Sequence, residues 1–195
     1  MQKVGPEYVA GFIAEPIVGS SAGTLVPQDE YRPMVRDICT DNDILLIADE
    51  IMTGVGRPGK PFCVDHWSVV PDLITSAKGL AGGYVPAGAV LVRQKIVKTL
   101  LDGSGRFIHG FTYNGNPVSV TAGKAVLKFV KTQNIMENAE RQENILGELL
   151  KELHQIPIVG DIRGKGLMWG VELVMDKGSR EPLPPGKKAA EMVTH

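Results

Sequence analysis

An α/β fold, with a mixed, mostly parallel sheet carrying helices on both faces, is predicted by three features of the sequence. Four short, mainly apolar runs show no polar alternation, a helical stripe separates the first two, and polar residues stand just past the ends of the runs. A strand buried on one face alone would alternate polar and apolar residues, whereas continuous apolar runs suit a sheet covered on both sides.

Val9-Ala10-Gly11-Phe12-Ile13-Ala14 is the first run, and it stops at Glu15-Pro16 because proline cannot continue a central strand. Tyr31, Met34, Val35, Ile38 and Cys39 follow at helical spacing, with Pro33 tolerable in the first turn only. The next strands are read at Ile44-Leu45-Leu46-Ile47-Ala48, at Leu73-Ile74-Thr75 and at residues 87–92. Asn116-Pro117 is a helix start, asparagine as N-cap and proline at the first helical position, leading a long helix through Val120, Leu127 and Val130. A second helix is expected from Ile135 to His154, ending before Ile156-Pro157. Beyond Val159 come an expected glycine-rich turn, Arg163-Gly164-Lys165-Gly166, and a strand from Leu167 to Val174. That shift divides the chain into a large domain, 1–154, and the start of a small C-terminal α+β domain, 155–195. The charged, proline-containing tail from Asp176 to His195 completes no core element, which reads as truncation.

The chain has 195 residues, 43% hydrophobic and 22% charged, with a formal net charge of -1, so it is long enough to bury a sizeable core. Near-neutral charge without a Lys/Arg run argues against nucleic-acid or membrane-surface partners, which a basic patch would attract. Residues 1–7 lack the apolar core of a signal peptide, and the expected location is cytoplasmic. Cys39 and Cys63 are the only cysteines; they lack CxxC spacing and are expected to be buried thiols, with no zinc site.

Two ionisable residues abut apolar strands. Asp49 closes the second run, and Lys78 stands in Thr75-Ser76-Ala77-Lys78-Gly79-Leu80 after the third. At the carboxyl edge of an α/β sheet, where ligands gather, desolvation favours a neutral amine that attacks an aldehyde. A carboxylate at the neighbouring strand end would hold a heterocyclic nitrogen protonated, as the electron sink of pyridoxal chemistry requires. Gly79, Gly82 and Gly83 leave room for a flat ring. Read singly, these residues are equally compatible with a loop-capping aspartate and a solvated lysine.

The wording around them is more specific. Residues 48–57, Ala-Asp-Glu-Ile-Met-Thr-Gly-Val-Gly-Arg, and 71–79, Pro-Asp-Leu-Ile-Thr-Ser-Ala-Lys-Gly, resemble the paired signature of class III aminotransferases, of omega-transaminase type. Ala14-Glu15-Pro16-Ile17 upstream and residues 109–117, His-Gly-Phe-Thr-Tyr-Asn-Gly-Asn-Pro, downstream agree with it. The resemblance covers essentially Val9 to Glu172 and implies the large domain of a fold-type I enzyme that uses pyridoxal 5'-phosphate (PLP). It implies that Lys78 forms the internal aldimine and later moves the proton between substrate Cα and cofactor. By the same resemblance Asp49 holds the pyridine nitrogen protonated, Ile51 packs one ring face, and Thr112 reaches the cofactor phosphate of a neighbouring subunit in a homodimer. The reaction implied is transamination from an amino acid or amine donor to a keto-acid acceptor.

Met52 stands where many members have a glutamine for the ring hydroxyl, and a thioether is a weak acceptor without a donor. Ser20 stands where ornithine- and 4-aminobutyrate-type members have a glutamate, which sets this chain apart from them; Glu15 is a further substrate-edge candidate. The family's phosphate-binding helix start, ring-stacking aromatic and C-terminal carboxylate-binding arginine have no counterpart in these 195 residues, so a fragment is expected. Decarboxylase, aminomutase and racemase chemistry would use the same lysine and aspartate, and a non-catalytic remnant is the alternative outside enzymology.

Gly54-Val55-Gly56-Arg57-Pro58-Gly59 formally matches GxGxxG, but Lys60-Pro61-Phe62 is a poor helix entry, and Pro61 occupies the hydroxyl position of a P-loop. His66, His109, His154 and His195 show no metal-ligand spacing and read as solvated or structural; His109 lies nearest the Thr112 motif. Arg57 and Arg163 are expected to pair with acidic neighbours.

Overall fold

The computed structural model describes residues 4–184 together with Gly186 and Val193; the expectation for His195 lies outside them. Four strands form the first sheet in spatial order β1 (Gly11–Ala14), β2 (Leu45–Asp49), β3 (Leu73–Ser76) and β4 (Ala89–Val92). β1, β2 and β3 run parallel and β4 antiparallel, so the sheet is mixed. The four apolar runs each became a strand. Helix α1 (Tyr31–Asp41) links β1 to β2, with Pro33 in its first turn, where no intrahelical donor is lost. From β2 to β3 the chain runs through loops and a short 3-10 turn, Cys63–Trp67.

Helix α2 (Gln94–Asp102) follows β4 and is an element the sequence reading omits, although Ile96, Val97, Leu100 and Leu101 recur at helical spacing; none of its residues is buried. Helix α3 (Pro117–Thr132) begins as expected. Asn116 Oδ1 accepts the amides of Val118 at 3.0 Å and Ser119 at 3.1 Å, which satisfies two donors a helix start leaves free. Helix α4 (Ile135–Lys151) continues into a 3-10 turn, Glu152–Gln155.

The second sheet is antiparallel, in the order β5 (Val159–Lys165), β6 (Met168–Asp176) and β7 (Glu181–Pro182). This corrects one expectation: Arg163, Gly164 and Lys165 are not a turn but the end of β5, paired with Gly170, Trp169 and Met168. Cross-strand pairing and the ion pairs of Arg163 with Asp161 and Glu172 outweigh the low strand propensity of Gly164. The turn is confined to Gly166 and Leu167. The tail also contributes more than expected, since Glu181–Pro182 adds the third strand.

The main core gathers Ile17, Cys39, Ile44, Leu46, Ala48, Cys63, Val64, Trp67 and Val69, and Met168 of β6 joins it. Both cysteines are free and buried, and burial pushes each thiol pKa up. Among the described residues no helix is long and apolar enough to cross a membrane.

At the end of the first sheet opposite Asp49, a single carboxylate ties four elements together. Asp72, 1% exposed, accepts the Leu46 amide at 3.0 Å and Arg36 of α1 at 2.8 Å on Oδ2, with Lys95 of α2 2.6 Å from Oδ1. Its own amide donates to Leu46 O at 2.7 Å, and its carbonyl accepts the Arg93 amide at 3.1 Å. Burial alone would raise the Asp72 pKa; the hydrogen bonds from Lys95, the Leu46 amide and Arg36 bring it down to about 2. Asp72→Asn is therefore expected to cost roughly 3 kcal/mol at neutral pH, as removal of one partner from a buried charge cluster does. Because the folded-state pKa lies below the unfolded value of about 3.9, this advantage is full above that value and fades as pH falls through the folded-state value. Urea unfolding of both proteins at pH 7 and along an acid series measures it, and the stability gap must close toward acid.

Candidate functional site

Parallel strands end at a common edge, and this one collects the candidate residues except Thr112. Ala14 aligns with Ala48, and Asp49 with Thr75. Glu15 and Asp49 are therefore neighbours in register, and Lys78 lies three residues beyond the residue facing Asp49.

Asp49 is half-buried and held by its surroundings. Its Oδ1 accepts the Ile51 amide at 3.1 Å and the Thr75 hydroxyl at 3.2 Å. Its Oδ2 takes no hydrogen bond among the described residues, so one oxygen is fixed and the other is available to a ligand. Thr75 was not singled out from sequence, because only the strand register reveals what it faces.

Lys78 opens the 3-10 turn Lys78–Ala81 with φ 44°. That left-handed conformation costs a non-glycine residue on the order of 1–2 kcal/mol and persists only where the surroundings impose it. Lys78 and residues 83–88 line a cavity of about 600 Å³. Pro86, Ala87 and Gly88 are shared with a larger, mostly apolar cavity of about 1600 Å³ that Ile51, Thr75, Ser76 and Ala77 also line. The side chain is exposed, unlike the desolvated amine expected of an apolar sheet edge, because Lys78 stands beyond the end of β3 in the 3-10 turn. Ser76 Oγ is buried without a partner among the described residues.

Ile51 and Met52 occupy the turn after Asp49, and Glu50 holds that turn. Fully buried, Glu50 accepts the Val64 amide on Oε1 at 2.9 Å and the Thr53 hydroxyl on Oε2. Burial pushes its carboxyl pKa up, while the hydrogen bonds from Thr53 and Val64 pull the other way. Gly54 must be glycine here, since a Cβ would lie 2.6 Å from Glu50 O. Gly56, at φ 87°, has Met136 of α4 packed where its Cβ would be. The GxGxxG string thus serves chain reversal and helix packing. Glu50 sits within the quoted motif, yet its part was not read from it. Thr53 three residues on is a weak local hint, but Val64 is fourteen away.

Glu15 is half-buried, and its Oε2 accepts the Gly19 amide at 3.0 Å. Ser20 is exposed in the loop that follows, closed by the paired residues Val18 and Leu25. Met52 packs beside Gly19, its Cγ 3.4 Å from where a Gly19 Cβ would be. Glu15, Ser20 and Met52 therefore share one rim. Buried Arg32 of α1, also missed from sequence, donates to the carbonyls of Pro16 at 2.8 Å and of Glu15, fixing the exit of β1.

Thr112 is not brought to Asp49. It is exposed, in a turn, and forms no hydrogen bond among the described residues. Its neighbours Phe111 and Tyr113 line the larger cavity, as does His109, packed edge-to-face between Phe107 and Phe111. His66 faces Pro58 O at 2.8 Å, a structural role, and burial lowers its pKa. Arg57 is exposed.

Comparison with known proteins finds aminotransferases over almost the whole chain. The family model described as Aminotransferase class-III matches residues 1–192. An uncharacterised aminotransferase of Bacillus subtilis (strain 168) is 36% identical over 194 residues, 99% of this chain and 44% of its own. A thermostable (S)-enantioselective omega-transaminase from Thermomicrobium roseum superposes with TM-score 0.91 at 42% identity, covering 96% of this chain and 42% of that one. An amine transaminase from an uncultivated Pseudomonas species, solved in its PLP-bound form, gives TM-score 0.90 at 39% identity, over 96% of this chain and 43% of that one. The chain spans less than half the length of these relatives.

Glu50→Ala is expected to leave the Val64 amide and the Thr53 hydroxyl without acceptors in a dry interior, at about 1–3 kcal/mol each. Thermal unfolding measures the loss, and amide exchange should show it concentrated in residues 49–54.

Proposed function

The chain belongs to the class III aminotransferases, with the fold-type I architecture of that family, and on that premise we propose that it carries the cofactor-binding core of a PLP-dependent transaminase. The observation that supports this best is the β2–β3 register, which aligns Asp49, one carboxylate oxygen still available, with the strand that leads to Lys78. The donor set suits pyridoxal phosphate: a fixed acceptor for a ring N–H, a primary amine on an adjoining cavity wall, and an apolar surface at Ile51 for a flat ring. Bound there, the cofactor supplies the electron sink that makes a substrate Cα proton acidic.

In this reading Asp49 Oδ2 holds the proton on the ring nitrogen, and Thr75 and the Ile51 amide keep that carboxylate oriented. Lys78 Nζ would be the amine that holds the cofactor and the base that carries the proton from substrate Cα. Ile51, on the wall of the larger cavity, would pack against the ring, with Met52 beside it. Glu15 and Ser20 form the rim toward the amino donor, and a keto acid is the acceptor.

Thr112 is assigned to the cofactor phosphate of a partner subunit. Its exposure, and that of Phe107, Ile108, Phe111 and Tyr113 around it, favours a homodimer with shared sites. Two buried free thiols accord with a reducing, cytoplasmic compartment. We place a domain boundary near residue 154 because the two sheets lie on either side of it, residues 1–154 forming the large domain and 155–195 the start of the small one.

In a protein of family length carrying this sequence, Lys78→Ala should lower transamination between an amine donor and a keto acid by at least ~10²–10⁴-fold, the range for losing a positioned proton carrier. Retention of activity would refute the assignment. Stoichiometric consumption of the keto acid separates transamination from decarboxylation, aminomutation and racemisation.

A further inference from the structure

The loop carrying Ser20 is held at two ends by different parts of the molecule. At its root, Glu15 takes the Gly19 amide, and the amides of Thr24 and Leu25 donate to Gly19 O and Val18 O, each at 3.1 Å. At its far side stands the C-terminal sheet. Arg163 of β5 donates from one terminal nitrogen to Asp161 at 2.8 Å and to Glu172 of β6, and from the other to Ala22 O at 3.4 Å. Next to it, Gly170 of β6 lies so close to the loop that a Cβ would come within 2.5 Å of Gly23 O and 3.0 Å of Thr24 Cβ.

We propose that Arg163 is a positioning residue for the donor side of the site: from the C-terminal sheet it fixes loop 19–24, and with it Ser20 and the wall against which Met52 packs. Two carboxylates hold the guanidinium in place, only 18% exposed, so that its remaining nitrogen can report the position of β5 to the loop. Met52 is the link to the cofactor edge because Gly19 forms its wall. The significance for donor binding rests on the function proposed above; the mechanical tie does not.

The test uses Arg163→Gln and Arg163→Lys, with Gly170→Ala as an independent way to displace the same loop. In this chain, labelled at the methionine methyl groups, Arg163→Gln should shift the Met52 resonance and leave Met34 in place. Amide exchange at Gly19, Thr24 and Leu25 should rise about tenfold, with α3 unchanged. Gly170→Ala should move the same signals, and Arg163→Lys, with a single charged head for three acceptors, should restore them only in part. In a protein of family length, KM for the amino donor should rise about fivefold with kcat within about twofold, the pattern of lost binding rather than lost chemistry. If the Met52 signal and loop exchange are unchanged in both Arg163→Gln and Gly170→Ala, or if kcat alone falls, the proposal is overturned. Failure of the Lys78 experiment would remove the functional reading while leaving the exchange result intact.

Discussion

Everything at the candidate site depends on the register in which β2 and β3 pair, and the buried carboxylate of Asp72 pins that register. Through its side chain and its own amide, Asp72 holds Leu46 at both backbone groups. It also gathers Arg36 from the helix before β2 and Lys95 from the helix after β4. A one-residue slip would turn every side chain of a strand to the opposite face. The acid at one end of the sheet thus protects the alignment of Asp49 with Thr75 at the other. Charge does the pinning, and the apolar strands supply the burial that strengthens it.

The parts of the fold that announced themselves were those with local cause. Apolar runs marked β1 to β4, and Asn116-Pro117 marked the start of α3, since capping needs only neighbours in sequence. α2 has a stripe as well, Ile96, Val97, Leu100 and Leu101, but a short one that lines an open cavity instead of a core. Residues 163–165 were misjudged for the opposite reason, their strand being imposed by partners on β6 that no local pattern shows. The same divide runs through the site. Asp49 and Lys78 were legible because each breaks an apolar run, and the family wording then gave them roles. Glu50, Arg32 and Asp72 were not, since a buried charge reads as a surface charge until the residues that receive it, 14 to 36 positions away, are brought alongside.

Two buried charges also divide the labour around the chemistry. Glu50 fixes the turn that presents Ile51 and Met52, and Arg32 fixes the exit of β1 that presents Glu15. Neither faces the cavities, so the groups proposed to meet the cofactor are backed by a rigid layer, which keeps a binding constellation within tolerance. Lys78 lacks such backing. Exposed and held at positive φ, it is the component whose environment these residues leave most open.

The most direct measurement is therefore made on Lys78 itself. The purified chain, incubated with PLP and treated with borohydride, is digested and its peptides mapped. The account predicts a pyridoxyl group fixed on Lys78 and its loss in Lys78→Ala, with Asp49→Asn weakening the labelling. Labelling spread over other lysines, or a protein left unmodified, would contradict the claim that this chain carries the core of the cofactor site.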